Sequence, residues 1–307
     1  MISFKKVGKI ACVAASVCAA TFSAVFAGCT LKTNHPSVRV TISFNDVDYE
    51  VNYKLYRNMY PQTVQHFIEL ADAGYYDNTI IHNYVTGSYL YGGAYSYDAT
   101  AYKTLVSNGA DSGYFNTQSK LSKYLELFNS GVISPTVYAA LDGEGNPTNA
   151  LPTLYGEFSD QGHTVENGAI TPAFGTLRMY YESQSSLNKQ IYTVTGKNEV
   201  LTREYRNNAA TSVFSIQLSS STTSDSTHCT FGVLKRDSDS TTLTSLTTAI
   251  SDYIEDNLSS ASEFVTSGVS ATVRYYFYDY EGDENIDVSY TVAKVPIIIK
   301  SVTVTGY

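Results

Sequence analysis

The chain has 307 residues, a charged fraction of 16% and a formal charge of −9. That length suits one large or two modest domains. The acidic balance, with no basic cluster against it, argues against a nucleic-acid partner. The aromatic content, 27 Tyr and 13 Phe with no Trp, is of a kind that suits strand faces.

Lys5, Lys6 and Lys9 precede an uncharged apolar run, Ile10 to Phe26, which ends at Ala27-Gly28-Cys29. This is a targeting segment, residues 1–28, and takes no part in the fold. Its end resembles the lipobox of bacterial lipoproteins, with Phe26 standing where Leu or Val is usual. The resemblance implies a diacylglyceryl group on Cys29 and a lipid anchor on the extracytoplasmic face of a bacterial cell membrane. An ordinary secretory peptide or an uncleaved anchor is the alternative, and either would still export the chain. Cleavage before Cys29 removes the three lysines and no acid, leaving a charge of −12. Cys12 and Cys18 leave with the segment, so Cys229 is the one thiol beyond Cys29; no intramolecular disulfide and no thiolate zinc site is expected.

Residues 29–37 form a short polar tether. Val38 to Phe44 then alternates apolar with polar, as does Tyr49 to Tyr56, and the Asn45–Asp48 turn joins them as a hairpin. Pro61 opens a helix to Ala73, with an apolar stripe of Val64, Phe67, Ile68 and Ala71 and a stop at Gly74. Ile80–Val85 and Tyr89–Gly93 are a second strand pair turning at Gly87, with Gly92-Gly93 ending it. Leu121, Tyr124, Leu125 and Phe128 recur at helical spacing over Ser119–Asn129, and Asp142–Pro147 is a loop. Strands at Thr176–Tyr180, Val213–Gln217, Thr230–Val233 and Ile297–Val304 are expected from the family resemblance set out below, not from alternation. Thr242–Asn257 is a helix, and Val269–Tyr280 with Ile286–Lys294 a hairpin. Asp279, Glu281, Asp283, Asn285 and Asp287 near its tip suit calcium in type, but Gly282 is misplaced for an EF-hand loop, and a solvated tip is the simpler reading.

Pro61-Gln62-Thr63-Val64-Gln65-His66-Phe67-Ile68-Glu69-Leu70-Ala71 and Gly74-Tyr75-Tyr76-Asp77-Asn78-Thr79-Ile80-Ile81-His82 together resemble the PxTVxNFxxLA and GxYDGTxFH patterns of the cyclophilin family of peptidyl-prolyl isomerases. Tyr155–Ser159, Ala173–Tyr181, Thr211–Ile216 and His228–Val233 resemble later family elements. The resemblance implies a mainly β fold over 38–307, a closed antiparallel barrel capped by two helices. Relative to that pattern, 94–155 and 182–210 are insertions and about 269–294 is an added C-terminal hairpin. The first insertion is expected to pack over the barrel.

The chemistry implied is rotation about an X–Pro amide, whose barrier is roughly 20 kcal/mol. Cyclophilins meet the pyramidal nitrogen of the twisted bond with an arginine, an interaction that strengthens only in the transition state. Here the family's arginine position is Asn83. The proline-pocket Phe is Ser88, the neighbouring Met is Tyr89, and the backbone-holding Gln is Tyr91. The later Gln and Phe are Val213 and Ser215, and the loop Trp falls at Thr223; Met179 and His228 keep their family identity. With His82, a frame residue with a structural reading, these positions make up the expected peptide-binding cleft. Met179 is expected to face it, which would turn Arg178 away. No metal or cofactor is called for, and no Ser/His/Asp or Cys/His constellation appears.

Two functions follow from different classes. One is an exported isomerase assisting proline-containing proteins with a weakened site, and the other a non-catalytic module binding peptide or protein at the cell surface. A surface polysaccharide or adhesin module is a remoter third. The fold that the resemblance implies speaks for the first, the replaced site residues for the second.

Overall fold

The computed structural model describes residues 33–108, 113–165, 168–180, 190–194, 199–204, 212–221, 226–274 and 285–307. Asn34–Gly306 form one compact unit. β1 (Ser37–Phe44) and β2 (Val47–Leu55) make a hairpin. Its two-residue turn is Asn45-Asp46, with φ of 48° and 62°. Asn and Asp tolerate that left-handed pair, whose twist matches the strands they join.

α1 (Pro61–Asp72) follows. Proline at its first position loses no helical bond. Its next free amides are held from far along the chain: the Glu157 carboxylate accepts from Gln62 N–H at 3.2 Å and Thr63 N–H at 2.8 Å. Burial pushes that carboxyl up to about 7, against the pull of these bonds. Phe67 packs its ring 5.0 Å from Tyr76, 5.2 Å from Phe214 and 5.0 Å from Phe231.

β3 (Thr79–Val85), β4 (Tyr89–Ser96), β7 (Leu177–Met179), β10 (Phe214–Gln217), β11 (Cys229–Leu234) and β14 (Ile297–Gly306) join the first hairpin in a closed barrel of order β1-β14-β3-β4-β10-β7-β11-β2. Every neighbouring pair is antiparallel. Closure leaves no unpaired edge. Inward residues of the strands share one cluster with Val64, Phe67 and Ile68 of α1. Leu243, Leu246 and Ile250 of α5 (Asp237–Asn257) belong to it too.

β4 does not end at the glycine pair but runs on to Ser96. The glycines mark close approaches instead. A Cβ at Gly92 would lie 2.6 Å from Ile299 Cδ1, and one at Gly93, where φ is +91°, 2.6 Å from the Ser212 carbonyl oxygen.

Residues 94–155 carry α2 (Ala99–Asn108), α3 (Gly113–Thr117) and α4 (Leu121–Asn129), of which the periodicity showed only the last. Tyr102, Leu105, Tyr114 and Phe115 bury themselves with Ile80 of β3 and with Val269, Ala271 and Val292 of the added hairpin, β12 (Val265–Arg274) and β13 (Asn285–Ala293). Tyr124 and Leu127 of α4 join the barrel core. β5 (Val137–Leu141) and β6 (Pro147–Leu151) pair with β8 (Gln190–Val194) and β9 (Val200–Glu204), in a separate four-stranded sheet of order β6-β5-β8-β9. This sheet was not foreseen, because its strands come from two stretches that each read as excursions.

Candidate functional site

The outer face of the barrel is set by a bulge in β3. Ile81 pairs with Gly92 and Asn83 with Tyr91, so two steps on β3 oppose one on β4. The extra residue turns both His82 and Asn83 toward the added hairpin. His82 lies between the rings of Tyr95 and Tyr290, at 5.0 and 4.8 Å. It is only 2% exposed. Burial holds its imidazole down at about 3, hence neutral, and its Nδ1 has no hydrogen-bond partner. His82 therefore belongs to the second core, under the hairpin, and not to the cleft. Asn83 Oδ1 accepts the Thr291 N–H at 3.0 Å.

From Asn83 a row of register partners crosses the barrel: Tyr91 on β4, Ser215 on β10, Arg178 on β7, Thr230 on β11. Residues directly opposite share a face. Tyr89 and Gln217 form the next row. The rings of Tyr89 and Tyr91 meet at 4.5 Å, Tyr91 and Tyr180 at 5.2 Å, and Tyr180 and His228 at 6.4 Å. The structure thus brings Tyr89, Tyr91, Ser215 and His228 together, with Tyr180 as the link.

Ser88 sits half-buried in the β3–β4 turn, and its carbonyl accepts the Leu218 N–H at 2.7 Å. Val213, half-buried just before β10, gives its carbonyl to Tyr180 N–H at 3.1 Å. Thr223, Cys29 and the hairpin tip with Asp279, Glu281 and Asp283 lie outside the described residues.

Met179 is a correction. It is fully buried, pairs with Phe214 and Cys229, and faces the barrel core. Alternation then places Arg178 on the outer face, the reverse of the expectation. Its Nη1 donates to Gln217 Oε1 at 3.2 Å, and Gln217 Nε2 donates to Ser219 Oγ at 2.8 Å. Burial lowers the pKa of this guanidinium while the Tyr91 and Tyr89 phenols raise it, and an arginine stays charged throughout. The polar run Ser215, Gln217 against apolar Phe214, Ile216 carried the missed signal. Setting β10's apolar residues inward makes the facing Arg178 outward.

Arg178 does not stand in for an arginine at 83. Three strand spacings of about 4.8 Å separate the two positions, roughly 14 Å along the face.

A separate cavity of about 530 Å³ lies beside the start of α1, lined by Gln62, Glu157, His163, Thr193 and Arg203 among others. Among the described residues, no group of three or more His, Cys, Asp and Glu is placed to hold a metal ion, and no helix is long and apolar enough to cross a membrane.

Residues 39–252 match the family model for cyclophilin type peptidyl-prolyl cis-trans isomerases. A solved structure of a cyclophilin type peptidyl-prolyl cis-trans isomerase from Cryptosporidium parvum is similar at 16% identity, over 89% of this chain and 99% of that one, with a TM-score of 0.39. A second structure of it, in the presence of the dipeptide Ala-Pro, gives 17% identity, 88% and 99% coverage and a TM-score of 0.37. No curated protein matches the chain. With most of its barrel inside the matched span, the chain belongs to the cyclophilin-type peptidyl-prolyl cis-trans isomerase family.

Proposed function

We propose that the chain is an exported cyclophilin-family protein, lipid-anchored through Cys29 on the outer face of a bacterial membrane. Its domain, from residue 38 onward, binds extended, proline-containing segments of exported proteins and turns them over slowly or not at all. The apolar run ending in Ala27-Gly28-Cys29 supports the location. One observation carries the weak turnover. The residue at the family's arginine position is a neutral amide whose oxygen already accepts the Thr291 N–H.

A charged donor contributes about 1.5–3 kcal/mol to a hydrogen bond against about 1 for a neutral one. Its loss slows the twisted-amide step by about tenfold or more. Ser88 and Ser215 supply no aromatic floor for a proline ring, which removes apolar contact as well. What remains is the wall of Tyr89, Tyr91, Tyr180 and His228, broad amphipathic rings that hold peptide at low entropic cost.

Titration of a soluble fragment (Thr30–Tyr307) with Xaa-Pro peptides, followed by NMR, tests this reading. Saturable shifts centred on Tyr89, Tyr91 and Ser215 are expected. Shifts absent at millimolar peptide, or confined to the four-stranded sheet, would overturn it.

A further inference from the structure

The cavity of about 530 Å³ beside the start of α1 takes one wall from the four-stranded sheet. Ile191 pairs with Arg203 and Thr193 with Leu201, so these four residues share a face of that sheet. Ile191 and Thr193 are buried. Leu201 and Arg203 stand on the edge strand β9, are half-buried and line the cavity. The start of α1 and the segment Gln161-Gly162-His163 line it too. Arg203 reaches toward that segment, since its Nη1 lies 3.6 Å from where a Cβ on Gly162 would stand.

Among the described lining residues, Arg203 is the one cation. No carboxylate of the described residues forms an ion pair with it, and its Nε has no hydrogen-bond partner. That nitrogen is shut from solvent, so a ligand in the cavity meets the terminal Nη groups. The start of α1 has no donor to spare for an anion. Gln62 N–H and Thr63 N–H already donate to the Glu157 carboxylate, and Gln62 Nε2 donates to the Val194 carbonyl at 2.7 Å. His163 Nε2 lies 2.8 Å from the Met59 carbonyl, which can only accept. Nε2 therefore carries the proton. Burial, with the charge of Arg203 beside it, lowers the pKa of this imidazole, and the neutral ring presents Nδ1 as an acceptor.

Cation, acceptor and apolar wall together define a ligand. A dianion such as phosphate would meet Glu157 and Glu199 in the same lining with one guanidinium to balance it, whereas a single carboxylate is matched. A guanidinium also binds a carboxylate through two parallel bonds. The Nδ1 acceptor suits an N–H close to that carboxylate, and Pro61, Val194 and Leu201 suit an apolar side chain. We infer that this cavity is a second ligand site, which binds the carboxylate end of a peptide or of an N-acyl amino acid with an apolar last side chain. The carboxylate sits on Arg203 and the last amide N–H donates to His163 Nδ1. The site shares no lining residue with the tyrosine wall, so it stands or falls independently of the cleft.

The test uses the full chain in detergent micelles and fluorescein-labelled Ala-Ala-Leu, with a free carboxylate or as the amide. Fluorescence anisotropy gives Kd for wild type, Arg203→Gln and Arg203→Lys. The free acid is expected to bind wild type about tenfold more tightly than the amide. Arg203→Gln should abolish that preference, and Arg203→Lys should keep part of it. The acid N-methylated at its last amide has no N–H to give and should bind about fivefold more weakly. Equal binding of acid and amide, equal binding of the acid and its N-methyl form, or a preference that survives Arg203→Gln overturns the inference. So does the absence of saturable binding at millimolar acid, or displacement of the acid by excess Ala-Ala-Pro-Ala amide, which would place it in the cleft. Competition separates the two sources, and either result supports the site. N-acetyl-leucine displacing as well as N-acetyl-Ala-Ala-Leu assigns a free N-acyl amino acid, and displacement by the longer compound alone assigns a peptide end. Should Arg203→Gln not fold, Leu201→Trp, which fills the cavity from the same face, decides: lost binding supports the inference, and undiminished binding overturns it.

Discussion

Replacing His82 by Phe should remove the acid sensitivity that the second core builds into the protein. The imidazole is buried between Tyr95 and Tyr290, with Nδ1 lacking a partner. Its pKa falls from 6.5 to about 3. An unfolded chain therefore takes up a proton in the window from 6.5 down to 3 that the folded chain refuses. The stability His82 allows is fully present above pH 6.5 and drains away as pH falls through that window. Each pH unit is worth 1.36 kcal/mol, so the whole shift amounts to about 5 kcal/mol, and the step from pH 6.5 to 5.0 to about 2 kcal/mol. Glu157 works the other way, since its raised pKa adds stability as pH falls from about 7 toward 4.5. It is present in both proteins and cancels in the difference. Urea midpoints of the soluble fragment at pH 7.5 and pH 5.0 give the measurement. His82→Phe should lose about 2 kcal/mol less than wild type between the two. Equal losses would refute the placement of a neutral imidazole beneath the hairpin.

Gly93→Ala should lower stability by about 2 kcal/mol or more, because the new Cβ meets a backbone oxygen at a φ of +91°; thermal unfolding reads this directly. Phe67→Ala should cost about 3–5 kcal/mol through the void left among Tyr76, Phe214 and Phe231, read in the same experiment. Cys29→Ala should abolish incorporation of labelled fatty acid and either leave an uncleaved precursor or release the protein; equal labelling of mutant and wild type would sink the lipid anchor. Asn83→Arg alone should restore little turnover, since the hairpin claims that position. Joined to Ser88→Phe and Ser215→Phe, it should raise kcat/KM by more than the single changes combined, because donor and floor act in one transition state.

The barrel was legible in the sequence because local and global signals agree there. Val38 to Phe44 alternates, Pro61 starts a helix with one apolar stripe, and each element appears within a few residues of its expected bounds. The four-stranded sheet was not legible, since β5 and β8 lie far apart in sequence and neither alternates strongly. For the candidate site the sequence names positions, but not the directions in which their side chains point. The bulge at His82 flips the face on which β3 presents its side chains, and nothing in the run Ile80-Ile81-His82-Asn83 announces it. Met179 and Arg178 were exchanged for a similar reason. β7 is only three residues long, too short for its own pattern to fix its inner face, and the answer came from its partner Phe214.

The central claim is that the cleft has kept its place in the fold and lost its efficient chemistry. The most direct measurement is a protease-coupled isomerisation assay on Xaa-Pro peptides with the soluble fragment, run for wild type and Asn83→Ala. Wild-type kcat/KM should lie at least about tenfold below that of an ordinary cyclophilin, and Asn83→Ala should change it little. Turnover on a par with an ordinary cyclophilin, abolished by Asn83→Ala, would contradict the account.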